Sequence, residues 1–140
     1  MDYQEVSGGR EFIARLSHGE DWRAQIEDFA ATEGIEAAFF VGLGAVQDAT
    51  VFYYDQTDQV YDEVVFDEPL EVASCVGNVS LLDDDPFAHT HAVLSRRDGT
   101  SIAGHLDAAT TFAGELYLRA FDGSVERHHD GPTDLDLWEL

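Results

Sequence analysis

Apolar and polar residues change their spacing along the chain, and each change predicts a different kind of element. "MDYQEVS" and "REFIARLS" alternate on either side of Gly8-Gly9, which predicts two short strands around a tight turn. After "HGED" the period lengthens. Trp22, Ile26 and Phe29 recur at intervals of four and three with Ala30 beside them, and Gly34 follows as a stop signal, predicting an amphipathic helix from about residue 20 to 33. Beyond it the chain alternates or runs apolar at 36–43, 46–54, 60–66, 70–82, 87–96, 100–107 and 112–122. Pro69 and Pro86 fall between runs, where strands tolerate them. One helix among about eight strands predicts an α+β fold. The tail "RHHDGPTDLDLWEL" carries Leu135, Leu137, Trp138 and Leu140, so it is expected to dock on its own domain or on a neighbouring subunit.

Length adds the expectation of one domain: 140 residues is a common domain size and enough to bury a core. Charge adds more. Seven arginines, no lysine and 29 carboxylates give a net charge of -22, yet 44% of residues are hydrophobic, so the charge is expected on a folded surface. The pattern resembles proteins of salt-in halophiles, where molar salt shortens the Debye length to roughly 3 Å and relieves the self-repulsion. Without a basic run, the composition argues against direct binding to phosphate backbones. No apolar run approaches the ~20 residues of a membrane span, and the start lacks a cationic segment followed by an apolar one. A soluble, cytoplasmic protein is expected. Cys75 lies alone in an apolar run, so no disulfide can form within the chain and a buried thiol is expected.

The candidate chemistry lies in "HTHAVLSRRDGTSIAGHL", residues 89 to 106. Strand residues two apart share a face, so His89 and His91 project together while Thr90 points away. The turn decides where His105 falls. With a two-residue turn at Asp98-Gly99, paired residue numbers sum to 197 and His105 faces Ala92 on the wrong side of the sheet. With a three-residue loop, Arg97-Asp98-Gly99, the sum is 196 and His91 faces His105. Cross-strand Cβ atoms about 4.5–5.5 Å apart let two imidazoles share an ion through bonds of about 2.0–2.1 Å. Three neutral imidazoles suit zinc and related divalent ions and leave a position for water or substrate. The opposite face would carry Ala92, Leu94 and Ile102 as core.

Other features point to structure. "GLGAV" (42–46) lacks the third glycine and the helix of a nucleotide loop and is expected to be a tight strand connection. "DDDP" (83–86) lacks calcium-loop spacing and is expected to be a solvated turn. His18 is expected in a turn before the helix, and the adjacent His128 and His129 on the surface. Glu115, inside an apolar strand, is a candidate to orient a ligating histidine or act as a base, with a solvent-facing role as the alternative. Asn78 has similar standing as a second-layer or subunit contact. No nucleophile motif appears.

At this point the chain resembles the plants-and-prokaryotes-conserved (PPC, or DUF296) domain family over nearly its whole length. "LSHGEDWRAQIEDFAATEGIEAAFFVGLGAVQDATVFYYD" is similar to the family's helix, GxGA connection and following strand, and "EVASCVGNVSLLDDDPFAHTHAVLSRRDGTSIAGHL" to its most specific segment. The chain has Ala103-Gly104 where the family more often has two glycines. The resemblance implies a curved, largely antiparallel sheet, a homotrimer, and a metal site at His89, His91 and His105. Together with the histidine geometry, the resemblance leads to the expectation of a trimeric metal-binding protein, with zinc the expected ion, that binds or transforms a small molecule at the metal. The alternative it implies is a DNA-associated regulatory or interaction module, because plant relatives join the domain to basic AT-hook segments. No such segment occurs here.

Overall fold

The computed structural model describes residues 1–140, and its elements follow in chain order: β1 (Glu11–Leu16), α1 (Trp22–Glu33), β2 (Ala38–Val46), β3 (Ala49–Asp55), β4 (Val60–Phe66), β5 (Leu70–Leu82), β6 (Asp85–Ser95), β7 (Ser101–Ala108), β8 (Thr111–Ala120), β9 (Arg127–Asp130) and β10 (Leu135–Trp138). The first eight strands form one sheet in the order β1-β8-β2-β5-β6-β7-β3-β4, with every pairing antiparallel. β9 and β10 form a separate hairpin. The α+β architecture expected from the spacing is therefore present.

Helix α1 starts because Asp21 accepts a hydrogen bond from the Ala24 backbone N–H at 2.8 Å, and ends because Gly34 adopts a left-handed φ of 62°. It buries Trp22, Ile26 and Ala30 against one face of the sheet, where Phe40, Val79, Ala88, Leu94, Leu106 and Leu118 complete the core. Cys75 is buried there and burial pushes its thiol up to about 11, so it is inert packing, as expected.

Two expectations need correction. "MDYQEVS" is not a strand: residues 1–10 have no regular structure, and Gly8 and Gly9, at φ 71° and 139°, lead the segment away from the free edge of β1. Ser7 instead accepts a backbone bond from Asp122 beyond β8. "GLGAV" is no connection between strands but the end of β2, where the pairing with β5 slips between Gly42 and Gly44. Gly44 has φ 151°, and a Cβ there would lie 2.1 Å from the Ala113 carbonyl oxygen, so this bulge requires glycine. The tail docks on its own domain, but as the β9–β10 hairpin, an element the spacing reading left unassigned. "DDDP" is a turn as expected, with Asp83 and Asp84 both at positive φ in the two-residue link between β5 and β6.

Candidate metal centre

The link from β6 to β7 is the three-residue loop on which the histidine geometry depends. Arg96 N–H donates to the Thr100 carbonyl at 2.9 Å, closing the pair below the loop, and Gly99 N–H donates back to the Arg96 carbonyl at 2.9 Å. Gly99 holds φ 84°, and Asp98 accepts from the Thr100 N–H. The pairs above the loop run Ser95↔Ser101, Leu94↔Ile102, Ala92↔Gly104 and His91↔His105. Thr90, Ala92 and Leu94 are buried on the helix side, so His89 and His91 project from the other face.

The three imidazoles converge. Their ring centroids lie 5.1 Å (His89 to His91), 5.1 Å (His89 to His105) and 5.6 Å (His91 to His105) apart, and one nitrogen from each falls within 4.8 Å of the others. No nitrogen of the three rings makes a hydrogen bond to the protein, whereas His18 bonds the Phe112 carbonyl at 2.8 Å. Aromatic neighbours hold the rings instead: Phe87 stacks on His89, Phe52 stacks on His105, and Tyr61 lies against His105. Burial, the Arg127 charge and the other two rings push His89 down to about 4. Burial, His91 and Arg23 do the same to His105, also to about 4. Both are therefore neutral at neutral pH, the form that ligates metals. A tetrahedral ion with bonds of about 2.0–2.1 Å needs nitrogens about 3.3 Å apart, so the rings need swing by only about an ångström. The donor set fits a divalent metal ion.

His89 and His105 line a cavity of about 330 Å³, and its other walls come from distant parts of the chain. Arg23 and Asp107 close one side, Phe52, Tyr61 and Phe87 supply flat apolar surface, and residues 134–137 of the hairpin form the lid. Arg127 ties that lid down: its guanidinium donates to Ser80 Oγ at 2.7 Å, Asn78 Oδ1 at 2.9 Å and the Asp136 carbonyl at 2.9 Å, and it lies over the Phe87 and Trp138 rings. Asn78 thus acts through Arg127. The spacing of the sequence did not mark Arg23, Arg127 or the lid, although "TDLDLWEL" alternates in a way that signals the second strand of a hairpin.

Glu115 does not join the site. β2 and β5 separate its strand from β6, and it pairs across β1 with Arg15. Both border a larger groove of about 750 Å³ lined by Ile13, Val41, Leu43 and Tyr117, which is apolar surface and not a chemical centre. His128 and His129 are exposed, His128 facing Glu126 at 3.4 Å and Glu139 at 3.2 Å.

An eight-stranded antiparallel sheet covered by one helix, with a histidine triad on its open face, defines the class. The chain belongs to the Plants and Prokaryotes Conserved (PCC) domain family, whose profile matches residues 3–122. It is similar to a crystal structure described as a metal-containing protein from Archaeoglobus fulgidus, with 40% identity, all of both chains covered and a TM-score of 0.96. It is also similar to a plant- and prokaryote-conserved protein of Pyrococcus horikoshii, with 32% identity, 100% of this chain and 98% of that one covered, and a TM-score of 0.94. A Bacteroides thetaiotaomicron protein, described provisionally as DNA-binding, shares the fold at 23% identity and a TM-score of 0.88, over 96% of each chain. No curated protein matches the chain. The hairpin lies outside the family's matched span but within the full-length likeness to the two archaeal structures.

The depressed histidines set a pH dependence. Between about pH 6.5, where an unfolded histidine titrates, and about pH 4, where the folded rings do, the unfolded chain binds more protons. These two rings therefore make stability rise with pH through that window and contribute no slope above it. Urea midpoints measured in EDTA at pH 4.5, 5.5 and 7.5 should rise more steeply for the wild type than for a His89→Gln/His105→Gln variant. Equal slopes would contradict the burial argument.

Proposed function

We propose that this protein binds one divalent metal ion, zinc the best fit, through His89, His91 and His105, and uses it to bind or transform a small molecule in the adjoining cavity. The observation that carries this reading is the convergence of three imidazoles that have no hydrogen-bond partner in the protein. The metal-containing relative at 40% identity supports it. Such an ion supplies Lewis-acid polarisation and a lowered pKa for bound water. The protein's own part is to hold two rings, His89 and His105, neutral and packed against Phe87, Phe52 and Tyr61, and to wall the cavity beside them with the hairpin.

The reading includes a homotrimer. One row of cross-strand partners runs Ile13–Tyr117–Val41–Val76–His91–His105–Phe52 across seven strands. Its first four residues are exposed apolar side chains, from 41% exposed at Tyr117 to 89% at Ile13. An apolar stripe of this kind marks an association surface, and it leads directly to His91, the most exposed of the three histidines. The charge of -22 opposes the alternative of direct DNA binding and supports a high-salt setting, so measurements belong in molar salt.

Metal analysis of purified or zinc-reconstituted protein should find about one ion per chain, and His105→Ala should lose most of it. Equal content in the two would sink the metal reading. Native mass spectrometry should give the mass of three chains, and Val41→Asp, placed mid-stripe, should shift it to one. A wild-type monomer would remove the trimer from the account.

A further inference from the structure

The cavity beside the histidines contains two arginines with opposite states. Arg127 is saturated by three hydrogen bonds and two aromatic rings. Arg23 is not. Its guanidinium makes no hydrogen bond, its contacts with Glu27 (3.8 Å) and Asp107 (3.6 Å) are long ion pairs, and its side chain is only 22% exposed. Phe87 packs against it with the Cζ atom 5.6 Å from the ring centroid, a contact that uses none of its hydrogen-bond donors.

Stability does not explain a cation at this place. Arg23 sits in the first turn of α1, where the helix dipole disfavours positive charge, and no acidic residue shares that turn. Its order with Glu27 at i, i+4 is the less favourable one. The chain has seven cationic residues, and this one lines the cavity together with His89, His105 and Asp107.

The geometry points to a small carboxylate as the ligand of this cavity, with the Arg23 guanidinium gripping the carboxylate and Phe52, Tyr61 and Phe87 packing against an apolar or flat body. The guanidinium fork matches a carboxylate in two parallel hydrogen bonds, and partial burial strengthens them. The acidic residues lining the cavity do not forbid an anion. Asp136 lies near Arg127, Asp134 stands 3.6 Å from His129, and Asp107 is loosely held by Arg23 itself. A divalent ion on the triad turns the local balance positive, so the inference rests on the metal reading above.

The test uses the intact zinc-loaded protein, with metal content measured on every sample, and calorimetric titration with benzoate at constant chloride. Benzyl alcohol serves as the uncharged control. Wild type should bind benzoate saturably and benzyl alcohol much more weakly. Arg23→Gln should keep its zinc and weaken benzoate binding at least about tenfold, the scale of a lost hydrogen bond to a charged group. Arg23→Lys, which keeps charge but not the fork, should fall between. With zinc present in both proteins, equal benzoate affinity in wild type and Arg23→Gln, or no benzoate binding by wild type, overturns this inference and leaves the metal reading standing. Failure of wild type to hold zinc overturns both.

Discussion

A left-handed glycine in a three-residue loop is the constraint on which the site depends. Gly99, at φ 84°, lets the chain reverse over Arg97-Asp98-Gly99, and the Arg96–Thr100 bond then fixes an even sum for every pair above it. Strand side chains alternate with a period of two, so a one-residue change in this loop would send His105 to the helix side, into the core formed by Leu94 and Leu106. Register, more than the number of histidines, creates the cluster. A second register, that of β3 against β7, places Phe52 opposite His105, so ring orientation comes from this pairing and ligand convergence from the loop.

The rest of the fold makes one face of the sheet available for that cluster. The helix and the core claim the other face, and irregularities in pairing, at Gly42/Gly44 between β2 and β5 and at Val72/Ser74 between β5 and β6, bend the sheet around them. The open face is left with an apolar stripe at one end and the histidines at the other. Two forms of protection follow from this arrangement: the stripe is suited to cover by other copies of the chain, and the chain's own C-terminal hairpin walls the cavity beside His89 and His105. Arg127 couples the hairpin to the sheet through Ser80 and Asn78, so the wall of the cavity is tied to β5, the strand next to the β6 that carries His89 and His91.

Legibility in the sequence followed the range of the interactions. The helix could be read from Trp22, Ile26 and Gly34, and the triad from His89, His91 and His105, because each depends on spacing within one helix or one hairpin. The lining of the cavity could not, since Arg23 and Arg127 meet the histidines only after the helix docks and the tail folds back. Glu115 looked like a candidate from its apolar neighbours alone, but sheet order, which local spacing does not encode, places β2 and β5 between it and the triad. "MDYQEVS" showed the alternation of a strand without gaining a partner, since its glycine pair turns it off the free edge of β1. The hairpin was the one element with a local signal, in the alternation of Leu135, Asp136 and Leu137, that went unassigned.

The central claim is that these three imidazoles together hold one metal ion. Anomalous diffraction recorded above and below the zinc absorption edge, on crystals of zinc-loaded protein, tests it most directly. The account predicts one strong peak per chain, bonded to a nitrogen of His89, His91 and His105 at about 2.0–2.1 Å. A peak located instead at His128 with Glu126 and Glu139, or no peak among the three rings, would contradict it.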